Sequence, residues 1–287
     1  MSRNKDRVGR ASQPDSNPIP QHALETNNET PGFSFVIPTE FVNLPSRGLF
    51  YPQGHPLHGQ ASVEIKQMTA KEEDILTSRS LLKKGIALDR VIENLIMDRN
   101  IDPDSLLIGD RNAIIVATRV SGYGNIYSTS VKCPNCGATQ EYGFDLNEIE
   151  IYDGEDIDKL ETTDHEDGTF SVILPKTSLK VRFRLLNGYD EKFLAKQGEN
   201  DRKSKGPENN ITRQLARLIV SVNDDTSAEA INYVVNNIPS MDSRHLREAY
   251  KLAAPNVDLT QHFECSECDH EQDMEVPLSA DFFWPNR

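Results

Sequence analysis

Apolar residues recur at two spacings along this chain, and each change of spacing marks an element. In 61–67, Val63 and Ile65 alternate with polar neighbours, the period of a half-buried strand. Thr69-Ala-Lys-Glu72 has the form of a capping box, in which each side chain satisfies a backbone donor of the other. Ile75 and Leu76 begin the apolar face behind it. Leu88, Val91, Ile92, Leu95 and Ile96 then follow at i, i+3, i+4, i+7 and i+8, the stripe of an amphipathic helix. A third helix is predicted from near Asp110 through Ile114, Ile115 and Val120, stopping at Gly122. Further along, 170–174 and 179–185 read as a hairpin across Pro175-Lys-Thr-Ser178. Leu179, Val181, Phe183 and Leu185 share one face of it, and Lys180, Arg182 and Arg184 the other, a solvated face or a docking ridge. A short helix is expected over 189–197 and a charged loop over 198–210. Ile211, Leu215, Leu218, Ile219 and Val222 have helical spacing. Thr226-Ser-Ala-Glu229 reads as a second capping box, and Ser240 as the cap of a helix over 241–253 that Pro255 ends.

Between and before these segments the pattern fades. Residues 1–32 are rich in Asn, Gln, Ser, Pro and Thr with almost no large apolar side chains, the composition of a disordered polar arm. The first ordered signal is 33–37, followed by an extended aromatic stretch over 43–52. Residues 147–167 are acidic. They read as solvated carboxylates; a calcium loop built on Asp153, Glu155, Asp156 and Asp158 lacks the glycine and terminal glutamate of an EF-hand. Leu49-Phe50-Tyr51-Pro52 and Phe282-Phe283-Trp284-Pro285 are either latches folded back on the core or anchors for a partner.

The chemistry is concentrated in the four cysteines, which form two CxxC pairs, Cys133-Pro-Asn-Cys136 and Cys265-Ser-Glu-Cys268. A tight CxxC turn points both sulfurs at one ion, and four thiolates make a closed tetrahedral site of the kind zinc fills. Strand-like flanks at 128–131, 140–144, 259–263 and 274–278 make each pair the tip of a hairpin. The two knuckles, far apart in the chain, are expected to share one structural zinc as a zinc ribbon. A redox CxxC would open a helix in a thioredoxin-like unit. A haem site needs CxxCH, whereas Asp269 separates Cys268 from His270. Disulfides call for an oxidising compartment, which no signal peptide supports. A catalytic metal needs an open position, which a fourth thiolate closes. His262 and His270 flank the second knuckle and are expected at the surface or behind the ligands.

Composition narrows the function further. The 287 residues carry a net charge of −14, which disfavours nucleic acid and anionic membrane as partners and fits docking on basic proteins. No apolar run approaches a membrane span. No Walker loop, GxGxxG, HExxH or GxSxG occurs, so no small-molecule substrate or catalytic residue is assigned and no enzyme is expected.

The expected fold is α+β: helical segments with short antiparallel hairpins, closed by the ribbon. Its parts are the arm 1–32, a strand and helical region 33–124, the ribbon 125–146 plus 256–280, an inserted hairpin and helical region 147–255, and an aromatic tail 281–287. The order of Leu44-Pro-Ser-Arg-Gly-Leu-Phe-Tyr-Pro52, Met68-Thr69 with Glu72-Glu73, Gly109-Asp110-Arg111, Tyr123-Gly124, Cys133-Pro-Asn-Cys136-Gly137, Cys265-x2-Cys268 and a terminal Phe-Phe-Trp-Pro resembles the T4-type bacteriophage baseplate proteins, the hub subunit group. The resemblance runs from about residue 41 to the end. It implies a non-enzymatic role in the tail baseplate of a contractile-tailed phage, assembled in the host bacterial cytoplasm, with other baseplate or tail proteins as partners. An assembly chaperone absent from the mature virion is the alternative, and a zinc-ribbon adaptor a more distant one.

Overall fold

A computed structural model describes residues 36–83, 85–204, 209–276 and 280–283. The predicted arm at 1–32, the start of the 33–37 signal and Trp284 lie outside the described residues. The residues from Ile37 onward form one compact unit of helices and antiparallel strand pairs, an α+β fold.

The alternating stretch folds as β2 (Ser62–Lys66), paired with β1 (Thr39–Asn43), which carries no comparable sequence signal. Val42, Val63 and Ile65 are its buried face. The capping box forms as predicted at the start of α1 (Ala70–Thr77): the Thr69 side chain accepts the Lys71 N–H, and Glu72 accepts the Thr69 N–H at 3.0 Å. After α2 (Arg79–Lys83), α3 (Ala87–Leu95) buries Val91, Ile92 and Leu95, as its stripe requires. The next helix, α4 (Ile108–Tyr123), runs past Gly122, and its last turn closes with Gly124 N–H on Val120 O at 2.9 Å.

Two hairpins carry the knuckles: β3 (Ile126–Lys132) with β4 (Thr139–Asp145), and β11 (Thr260–Glu264) with β12 (Glu271–Glu275). The second return strand thus starts directly after its knuckle rather than at 274. The acidic stretch is more structured than its charge suggests. It contains β5 (Glu150–Tyr152), paired with β10 (Asn256–Asp258), and β6 (Thr163–Asp164). Asp153 pairs with Arg47 at 2.8 Å and Asp156 with Lys159 at 2.7 Å. The predicted hairpin, β7 (Thr169–Ile173) and β8 (Lys180–Arg184), belongs to a four-stranded sheet in the order β6-β7-β8-β9, with β9 at Ile219–Val222.

Four expectations in this region need correction. Ile219 and Val222 leave the helical run: α6 (Asn210–Leu218) ends before them, and they form β9 (Ile219–Val222) against β8, where β-branched side chains pack well. The charged segment after 197 continues α5 (Gly188–Ser204), held by the Lys203–Glu199 pair and by Arg213 of α6 on Asp201. At α7 (Ala228–Asn237) the cap is Ser227, which accepts the Ala230 N–H, rather than Thr226. Ser240 is the first residue of α8 (Ser240–Ala253) rather than its cap. In the cationic row on β8, Lys180, Arg182 and Arg184 pair with Asp224, Asp167 and Asp190 of the same chain.

Buried apolar side chains gather in two clusters. The first joins β1–β2, α1, α3 and α4 to both knuckle hairpins and to Phe282 and Phe283. The second lies between the four-stranded sheet and α6, α7 and α8. A groove of about 910 Å³ runs where they meet, walled by Leu107, Ile108, Leu186, Tyr250 and Val257.

Candidate metal centre

Each knuckle is built by the same three backbone moves. Cys133 N–H donates to Ala138 O at 2.8 Å and Gly137 N–H returns to Cys133 O at 2.9 Å. Cys265 N–H donates to His270 O at 3.0 Å and Asp269 N–H to Cys265 O at 2.9 Å. Both turns then need a left-handed residue, supplied by Gly137 (φ 76°) and by Asp269 (φ 52°). Asp is one of the few side chains that tolerate this conformation, so the two halves match in geometry though not in sequence.

The turns bring Cys133, Cys136, Cys265 and Cys268 together, with their sulfurs all within 4.8 Å of one another. Cys133 Sγ lies 3.8 Å from Cys268 Sγ, and Cys136 Sγ 3.7 Å from Cys265 Sγ. All four are free thiols. In a tetrahedral site with metal–sulfur bonds of about 2.3 Å, neighbouring sulfurs stand about 3.8 Å apart. The donor set and the spacing both fit one four-thiolate ion. Cys133 and Cys265 are buried and Cys136 faces solvent. The Cys136 N–H, aimed at the Cys133 sulfur, outweighs burial and brings that thiol down to about 6. At Cys136 the Ala138 N–H pulls the same way, but the neighbouring Cys268, Cys133 and Cys265 sulfurs hold the thiol up at about 12. A metal bound here displaces these protons.

Several residues that sequence reasoning missed bind the hairpins to each other. Gln140 donates to Glu264 O at 2.9 Å and accepts both the N–H and the hydroxyl of Ser266. Tyr142 OH donates to His262 O, and Gln261 donates to Asp145 O at 2.7 Å. Asn135 directs its amide at Cys268 Sγ at 3.7 Å. Isolated glutamines and asparagines near a strand carry no sequence signal for such roles. His262 lies 3.9 Å from Asp273 and His270 is 3.3 Å from Gln272, both outside the sulfur cluster.

The other motif residues are internal fasteners. Asp110, almost fully buried, accepts Ser46 N–H (2.9 Å), Ser46 OH (2.6 Å) and Tyr51 OH (2.7 Å), tying the 44–52 stretch to α4. Burial drives the Asp110 carboxyl up, against the pull of those donors, and raises the Tyr51 phenol as well. Gly109 packs under Pro255, and a Cβ there would stand 1.9 Å from Pro255 O. Arg119 is buried among Tyr123, Tyr127 and Phe282 and donates to the carbonyls of Phe282, Gly124 and Ile126. Phe282 and Phe283 are therefore latches, as is Tyr51; Leu49 is exposed.

Asp110 is one of a set. Glu72, Asp89, Asp110, Asp190 and Asp242 each stand at the third position of a helix, α1, α3, α4, α5 and α8. There the helix dipole favours a negative charge, and each carboxylate also fastens a neighbour. Asp242 accepts Lys176 N–H, Thr177 N–H and Thr177 OH from the β7–β8 turn. Asp190 pairs with Arg184 at 2.8 Å and Arg217 at 2.6 Å. Asp89 pairs with Arg111 and, at 3.1 Å, with Lys192.

A family model described as "T4 bacteriophage base plate protein" matches residues 41–284. No curated protein and no solved structure matches the chain.

Proposed function

The chain belongs to the T4 bacteriophage base plate protein family, and from that premise we propose that it is a non-enzymatic structural component of the baseplate hub. The observation that carries this reading is where the matched residues go. The match covers the compact unit almost from end to end, and within it Ser46, Tyr51, Asp110, Arg119 and the cysteines serve to hold that unit together. A part that must present fixed faces to neighbouring tail proteins needs this kind of internal fastening.

Zinc is the ion we assign to Cys133, Cys136, Cys265 and Cys268. When bound, it supplies a closed cross-link between two hairpins far apart in the chain, and its binding energy is folding energy. Partners are other baseplate or tail proteins, met in the host bacterial cytoplasm during assembly. Among the described residues no helix is long and apolar enough to cross a membrane. A zinc-ribbon adaptor for nucleic acid fits less well, because Glu264, Glu267, Asp269, Glu271 and Asp273 crowd the second hairpin and repel phosphate.

Blocking synthesis of the chain during infection tests the reading. The expected result is tails without complete baseplates, restored by supplying the chain in trans. Normal baseplates formed without it would overturn the proposal. An assembly chaperone gives the same defect and is separated from a permanent component by the content of finished particles.

A further inference from the structure

The strand β1 has one edge that no described residue covers. Gln67 N–H donates to Pro38 O and Leu44 N–H to Ala61 O, each at 2.9 Å. With Thr39 opposite Lys66 and Asn43 opposite Ser62, these bonds put the ladder to β2 on the even residues, Glu40 and Val42. The N–H and C=O groups of Thr39, Phe41 and Asn43 therefore point the other way, and no described residue meets them. Phe41 stands in the middle of this edge with 71% of its surface exposed. The far edge of β2 is met instead by Met97, whose N–H donates to Glu64 O, so the open edge belongs to β1 alone.

A third observation concerns the other face. Glu40 points to the Val42 side, where its Oε1 is buried with no hydrogen-bond partner among the described residues. A buried, unpaired carboxylate oxygen is costly. On an edge strand such a charge discourages indiscriminate pairing, and it selects for a strand that brings a cation.

We propose that the β1 edge receives an extended segment of another baseplate protein, with a Lys or Arg beside Glu40 and an apolar side chain beside Phe41. Addition of a strand would satisfy the three open backbone positions, and the cation would pair Glu40. The segment's basic character suits a chain of net charge −14. A second copy of this chain fits poorly. Antiparallel pairing of β1 with itself, with the odd residues opposed, places Val42, Glu40 or Leu44 opposite Glu40, and none of these offers a donor.

The inference rests on the baseplate reading, and the test separates the two. Hydrogen exchange is measured at single-amide level on the purified full chain and on assembled baseplates. In the free chain, the Thr39, Phe41 and Asn43 amides should exchange at least 100-fold faster than those of Glu40 and Val42. In baseplates they should slow to match them. The Phe41→Pro variant removes one outward N–H and leaves the β2 ladder bonds in place. It should keep the wild-type melting temperature within a few degrees yet enter baseplates at least tenfold less well. Odd amides already slow in the free chain would mean that the chain's own N-terminal residues cover the edge. Odd amides still fast in baseplates, or normal entry of Phe41→Pro, would likewise overturn strand addition alone. A chain that never enters baseplates would overturn the functional reading and this inference with it.

Discussion

Cys133→Ser or Cys265→Ser leaves three thiolates around a buried position and removes the match to a four-coordinate ion. If the cluster holds zinc as proposed, each variant should fail to bind it and lose about 4 kcal/mol of stability, a fall in melting temperature of roughly 10 °C. Metal content and calorimetry on the purified chain check this; unchanged stability in either variant would remove the metal from the account. Arg119→Met keeps the bulk of the side chain but leaves the carbonyls of Phe282, Gly124 and Ile126 without their donor. It should cost about 3 kcal/mol, read by urea unfolding. A pattern reader finds the cysteines because CxxC spacing has a geometric cause. Nothing of the kind exposes Gln140 or Arg119, whose partners are backbone carbonyls distant in sequence.

The elements divide by how local their causes are. The box at Thr69 and Glu72 and the stripe of α3 are set by neighbours within a turn or two, and the sequence shows both. Ile219 and Val222 have helical spacing after Leu215 and Leu218, and only the free edge of β8 turns them into a strand. The loop expected after 197 is helical because Arg213 reaches back to Asp201. The acids at the third helical position are half legible in the sequence. An acid in a first turn is a common signal, but its second role depends on which loop passes above it. Asp242→Ala should free the β7–β8 turn donors at Lys176 and Thr177 and cost about 2 kcal/mol. The same acids set the response to pH. At Asp190 burial acts upward, but Arg184, the Asn187 N–H and Arg217 prevail and hold the carboxyl below its ordinary value of 3.8. Its contribution is complete above 3.8 and is lost as pH falls through the lower folded value. Asp110 has the opposite sign. Its folded value is raised by burial, so its cost is present above that value and eases as pH falls through it. Unfolding midpoints of the wild type and of Asp190→Asn, compared from pH 7 to pH 3, should converge on acidification. Parallel curves would contradict this assignment.

At the scale of the whole molecule, the chain closes on itself twice. The ribbon joins residues 133–136 to 265–268, and Arg119 holds the Phe282 segment against α4. Gly109 lets α4 approach the strand after Pro255, so Gly109→Ala should push α4 from β10 and lower stability, read by urea unfolding. Hydrophobic pattern alone gave the class, helices with antiparallel hairpins, but not the four-stranded sheet or the β5–β10 pair, because both depend on strands three residues or fewer beyond the reach of periodicity or on partners far along the chain. The proposed function asks of this body that it present fixed faces to neighbouring proteins. The most direct test of that claim is quantitative mass spectrometry of purified virions beside infected lysate. The account predicts peptides of this chain at a fixed few copies per particle. Abundant peptides in the lysate and none in finished particles would contradict a permanent place in the baseplate and leave the chain an assembly factor.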